Sequence, residues 1–135
     1  MPHAVVLYTP NLEAQTDMTE LCRSLASAMQ GAQDETGKPV FPLGGIRVFA
    51  YPAPHFAVAD SSADMAFCWI NIRMAKGRSA QAQQNAGQAV TDAAKAHFAP
   101  VLARRLVGLT LQVDEGHEVF DAKFGNLHAH FNKQA

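Results

Sequence analysis

The residue whose chemistry depends most on processing is the second one. Pro2 follows Met1, and methionine before a small, ring-closed residue is a usual substrate for N-terminal trimming. Trimming would expose a secondary amine able to gain and lose a proton. An unperturbed α-amino group titrates at roughly 7.7–8.0, and burial or a nearby cation pushes that value down. A base poised near working pH suits proton transfer. Taken alone, Pro2 is more simply read as the residue that happens to precede a strand.

Two arginines stand in unusual surroundings. Arg47 follows Gly44-Gly45-Ile46, and Arg78 lies between Gly77 and Ser79 at the expected start of a helix. Glycine lets backbone come close to a ligand. A helix N-terminus contributes free N–H groups and partial positive charge. A guanidinium beside either makes a carboxylate site. The plainer reading is that both are solvated loop charges, in which case Arg47→Ala and Arg78→Ala would leave thermal stability nearly unchanged. Arg73 reads as an ordinary exposed strand arginine. Arg104 and Arg105 suit the C-terminal turn of a helix, where the dipole favours cations.

Other chemistries find no footing. His128 and His130 are one residue apart, but no Cys or acidic partner sits at a metal-site spacing, so no metal is expected. His97 falls on an apolar helical stripe and reads as a core or interface histidine. No nucleophile elbow, P-loop or dinucleotide fingerprint occurs.

The elements that must position these residues follow from periodicity. The chain has 135 residues, so a single domain over 1–135 is expected. It is 48% hydrophobic and 17% charged, with a formal net charge of −1. That balance gives no basic field for nucleic acid. No apolar run is long enough for a membrane span, and the N-terminus lacks the pattern of a signal peptide. Cys22 and Cys68 sit in apolar patterns and read as buried free thiols of a reducing compartment, with the cytoplasm as the expected location.

His3 to Tyr8 reads as a buried strand. Asp17 then caps a helix, with Glu20 three residues on, and Met18, Leu21, Cys22, Leu25 and Met29 form its apolar face. The helix is expected to stop near Gly31. Residues 31–45 form a loop, and Ile46 to Tyr51 a second strand. The clearest strand is Asp64 to Met74: Ala66, Cys68, Ile70, Ile72 and Met74 share one face, and Met65, Phe67, Trp69, Asn71 and Arg73 the other. Ser79 caps a long second helix whose stripe runs from Ala82 to Leu102, with Pro100 expected to kink or break its last turns. Leu106 to Val113 is a fourth strand, ended by Asp114-Glu115-Gly116. The tail from Val119 to Phe131 shows no long periodicity.

The order strand, helix, strand occurs twice, so each half reads as a parallel βαβ unit with a right-handed crossover. The expected fold is α+β: two βαβ halves forming a four-stranded mixed sheet with two helices on one face. The other face, which carries Phe, Met and Trp, would lack a cover, and oligomerisation would supply one.

Taken together, Met1-Pro2-His3, Phe41-Pro42-Leu43-Gly44-Gly45-Ile46-Arg47, Gly77-Arg78-Ser79 with Gln84 and Gly87, Ala96-His97-Phe98 and Asn126-Leu127-His128-Ala129 resemble the 5-carboxymethyl-2-hydroxymuconate isomerase family of the tautomerase superfamily. The resemblance runs over nearly the whole chain. It implies a homotrimer of two-βαβ subunits, with the amine of processed Pro2 as catalytic base. It implies that Arg47 and Arg78 bind or polarise a small-molecule carboxylate substrate. The reaction it implies is ketonisation of a 2-hydroxymuconate in bacterial degradation of homoprotocatechuate, without cofactor or metal. Two alternatives stay open: hydration or dehalogenation of an unsaturated acid on the same scaffold, for which no acidic residue stands out as the activator of water, and a non-enzymatic small-ligand module. The chain departs from the family pattern at Leu7, where an acidic residue is usual, in a longer Gly31–Pro39 loop, and at Pro100.

Overall fold

The computed structural model describes residues 2–132; the expected processing of Met1 falls outside them. Strand β1 (His3–Tyr8) alternates, burying Ala4, Val6 and Tyr8 while His3, Val5 and Leu7 face the other way. Asp17 then starts helix α1 (Met18–Gly31): its Oδ1 accepts the backbone N–H groups of Thr19 at 2.9 Å and Glu20 at 3.1 Å. Two of the otherwise unpaired first-turn donors are thereby satisfied. Glu20 serves as an acid in that turn, where the helix dipole favours it. Met18, Leu21, Leu25 and Met29 are buried, and Cys22, at the edge of the stripe, is only half-buried.

Strand β2 (Arg47–Pro52) and strand β3 (Met65–Met74) start within a residue of the expected positions. The two faces of β3 divide as expected, and Ala66, Cys68, Ile70, Ile72 and Met74 are buried. Cys68 is a free thiol, and burial pushes its pKa up to about 12. Helix α2 (Ala80–Leu102) begins where the Ser79 Oγ accepts the Ala82 N–H at 3.1 Å. It runs through Pro100 without the break that was one of the two expected outcomes there. Proline removes one donor and crowds one preceding carbonyl. Two residues from the helix end, little of the hydrogen-bond ladder remains to be lost. Arg104 caps this end of the helix, donating through Nη1 to the Pro100 carbonyl at 2.7 Å and through Nη2 to that of Gln15 at 2.7 Å. Strand β4 (Leu106–Glu115) continues two residues past its expected end, and a short helix α3 (Leu127–Asn132) forms in the tail.

The four strands form one sheet in the order β2-β1-β3-β4. β1 pairs with β2 in parallel and β3 with β4 in parallel, while the central pair β1–β3 is antiparallel. Two βαβ halves therefore meet head to tail. Ala4, Val6, Ile70 and Ile72 join Leu21, Leu25, Val90 and Phe98 of α1 and α2 in one buried cluster, so both long helices cover the same face. His97 of α2 ties that helix to the turn before α1, its Nε2 lying 2.8 Å from Thr16 Oγ1. The opposite face is apolar and open, with Leu7, Phe49, Tyr51, Phe67 and Leu106 exposed. No helix among the described residues is long and apolar enough to cross a membrane.

Leu25 is fully buried in this cluster. Leu25→Ala is expected to cost about 3 kcal/mol and to lower the thermal midpoint by roughly 10 °C. Circular dichroism melts give the check, and a shift of only a degree or two would contradict the packing of α1 on the sheet.

Candidate active site

The register of the sheet assembles the site. His3 on β1 is opposite Arg47 on β2 and, across its other edge, opposite Arg73 on β3. The burial alternation turns all three toward the helix-free face. The result is a row of basic side chains, Arg47–His3–Arg73, at the end of the sheet where β1 begins. The row lines a cavity of about 340 Å³. Residues 118–124 close it from the far side, bringing Glu118, Asp121, Lys123 and Phe124 into its wall.

Pro2 is fully buried at this end. The Arg47 Nη1 donates to the Pro2 carbonyl at 3.3 Å and to the Gly45 carbonyl at 3.0 Å, and Nη2 lies 3.4 Å from His3 Nδ1. Because a guanidinium can only donate, the last contact assigns His3 Nδ1 as acceptor. The structure thus brings Pro2 and Arg47 into direct contact.

The double glycine is needed on two sides. A Cβ on Gly45 would stand 3.3 Å from Pro2 Cδ, and one on Gly44 would stand 3.0 Å from the backbone and Nδ1 of His128. Residues 43–45 form a single 3-10 turn, which lets the proline ring pack on one side and α3 on the other. His128, weighed in the sequence as half of a metal pair and matched by the family resemblance, therefore anchors the tail beside Pro2.

Arg78 is placed differently. Its Nε donates to the Val40 carbonyl at 3.0 Å, its Nη1 to the Ala75 carbonyl at 3.1 Å, and its guanidinium carbon lies 5.1 Å from the centre of the Phe41 ring. Burial lowers its pKa from the ordinary arginine value. Arg78 is thus a half-buried tie between the start of α2 and the segment leading into the glycine turn, and these bonds leave its Nη2 unused. The long 32–40 loop is tied down beside it: Ser79 Oγ donates to Glu35 Oε2 at 2.8 Å, and Asn85 Nδ2 to the Gln33 carbonyl at 2.9 Å.

One reading needs correction. Neither Arg47 nor Arg78 is a solvated loop charge, since both are half-buried and bonded to main-chain carbonyls. Arg73 is the exposed strand arginine expected, and it also stands in the cavity wall with Arg47. Among the described residues no group of three or more His, Cys, Asp or Glu is placed to hold a metal.

A four-stranded mixed sheet of two βαβ units is the architecture of the tautomerase superfamily. Within it, the family model for 5-carboxymethyl-2-hydroxymuconate isomerase matches residues 2–131, and the chain belongs to that family. It is 30% identical to the 5-carboxymethyl-2-hydroxymuconate Delta-isomerase of Escherichia coli over 131 residues, 97% of this chain and 99% of that protein. A crystal structure of a 5-carboxymethyl-2-hydroxymuconate delta-isomerase is 51% identical, with a TM-score of 0.92 over 97% of this chain and 93% of that one. The 5-carboxymethyl-2-hydroxymuconate isomerase of Deinococcus radiodurans R1 is 31% identical, with a TM-score of 0.84 over 96% and 93%.

The bonds of Arg78 make a stability prediction opposite to that for a loop charge. Arg78→Ala is expected to cost about 1–2 kcal/mol, because the Val40 and Ala75 carbonyls lose a charged donor. Urea unfolding measures this, and an unchanged midpoint would return Arg78 to the surface charges.

Proposed function

We propose that this protein is an isomerase that ketonises 5-carboxymethyl-2-hydroxymuconate or a close 2-hydroxymuconate, with the amine of Met-free Pro2 as general base. The observation that carries the reading is the Arg47 guanidinium seated 3.3 Å from the Pro2 carbonyl at the wall of an open cavity. A cation so close disfavours a second positive charge on the Pro2 nitrogen. The amine is then neutral, and basic, at lower pH than a free chain end.

In this reading the Pro2 nitrogen takes the proton of the substrate's 2-hydroxyl. The electron pair moves through the diene to C5 as the C2–oxygen bond becomes a carbonyl, and Pro2 returns the proton to C5. One base serves both transfers. Arg47 holds a substrate carboxylate and stabilises negative charge developing on the 2-oxygen. Arg78 offers the unused Nη2 edge of its fork to a second carboxylate. The setting is degradation of aromatic acids such as homoprotocatechuate, in the cytoplasm. Hydration or dehalogenation would require a free carboxylate to activate water. The fold does bring Glu118 and Asp121 to the cavity, but Glu118 lies 3.4 Å from Arg73 and Asp121 lies 3.0 Å from Lys123.

Retained Met1 makes the Pro2 nitrogen an amide. Protein bearing Met1 is expected to be at least about a hundredfold slower than processed protein, the scale of a lost general base; equal rates would sink the reading. Because the neutral amine is the active form, kcat/KM should rise with pH through the amine pKa. Arg47→Gln should move that rise upward, toward roughly 7.7–8.0.

The open sheet face and the exposed Val119, Phe120 and Phe124 support assembly as a homotrimer, in which neighbours cover the apolar surface. Sedimentation equilibrium at low micromolar concentration should give three times the chain mass, and a stable, active monomer would rule the trimer out.

A further inference from the structure

The proposed substrate carries three carboxylates, two at the ends of the muconate and one on the carboxymethyl arm. Arg47 and Arg78 account for two of them. The cavity that Arg47 lines, and Arg78 does not, holds two further cations, Arg73 and Lys123. Arg73 and Arg47 flank His3 from opposite strands, so their backbones are two interstrand spacings apart, roughly 10 Å. That separation suits carboxylates at different branches of one six-carbon skeleton. Lys123 approaches from the tail that closes the cavity.

Both cations already hold a carboxylate, and in both cases loosely. Arg73 Nη2 meets Glu118 Oε1 at 3.4 Å, and Lys123 Nζ meets Asp121 Oδ2 at 3.0 Å, with all four side chains close to half exposed. Exposed pairs of this kind contribute little. An incoming carboxylate can therefore take the place of Glu118 at little cost. The planar fork of arginine binds it with two parallel bonds where the single contact at 3.4 Å uses one.

Resting on the proposed isomerase reading, we propose that Arg73, assisted by Lys123, is a specificity-determining residue that binds the third carboxylate of the substrate, exchanging it for Glu118. Arg73 sits on the exposed face of β3, so replacing it leaves the buried core intact.

The test compares wild type with Arg73→Gln on two substrates that differ by one carboxylated arm, 5-carboxymethyl-2-hydroxymuconate and 2-hydroxymuconate. For Arg73→Gln, KM for the three-carboxylate substrate should rise about tenfold or more, the scale of one charge-assisted contact. Its kcat, and both constants for 2-hydroxymuconate, should stay near wild type. Arg73→Lys should recover part of the loss, and Glu118→Gln should lower KM for the larger substrate only. Equal losses on both substrates, or none on the larger, would overturn the assignment. Calorimetry keeps it separate from the isomerase reading. Wild type should bind tricarballylate about tenfold more tightly than glutarate, which lacks one carboxylate, and Arg73→Gln should bind them alike. If wild type turns over neither muconate yet shows this preference, the carboxylate site stands and the isomerase reading falls. Absence of the preference overturns the site.

Discussion

Parallel pairing of β1 with β2 brings the chain back, after a helix and a long loop, to the level at which it began. His3 then lies beside Arg47 although 44 positions separate them. Parallel neighbours need a crossover of this length, and α1 supplies it by burying Leu21 and Leu25 on the same sheet. If the register slipped by one residue, His3 and Arg47 would turn to opposite faces and the buried set would face water. Because Ala4, Val6 and the buried residues of β3 lock that register, the core holds the basic row in place as well as stabilising the domain.

Much of this was legible in the sequence because short-range patterns set it. Asp17 and Ser79 announced the two long helices, and the alternation from Met65 to Met74 assigned each side chain of β3 to its face. Arg47 and Arg78 stood out through their glycine neighbours. What pattern could not supply was register. Arg73 looked like a solvent-facing strand residue, and it is one; only the pairing of β1 with β3 sets it beside His3 in a cavity wall. Nor does periodicity reveal that a guanidinium ends on a carbonyl 38 positions away, as Arg78 does on Val40. Helix α3 was missed because its six residues bury no apolar stripe; it is held by the fit of His128 against Gly44.

The arginines commit part of their hydrogen-bonding capacity to the architecture. A guanidinium has five donors. Arg78 spends two on Val40 and Ala75, which fixes its plane against Phe41. Arg47 likewise ties together the Pro2 and Gly45 carbonyls. A cation anchored in this way is already oriented when a ligand arrives, so little side-chain freedom remains to be lost on binding. Arg73 is the contrast: it sits on an open face with a loose carboxylate partner and is free to exchange it.

The antiparallel junction of β1 with β3 gives the sheet two poles that are alike in backbone and unlike in valence. β1 and β2 begin at one pole, β3 and β4 at the other. At the second pole Asp64 precedes β3, and Arg105, the residue before β4, lies 3.8 Å from it. Gene duplication of one βαβ half can copy strands, helix and even a cation. It cannot copy a chain terminus, because the nitrogen that opens the second half is bonded on both sides as an amide and has no basic lone pair. In the proposed mechanism the reacting nitrogen is therefore confined to one pole, and such a protein can multiply it only by adding chains, never by lengthening one.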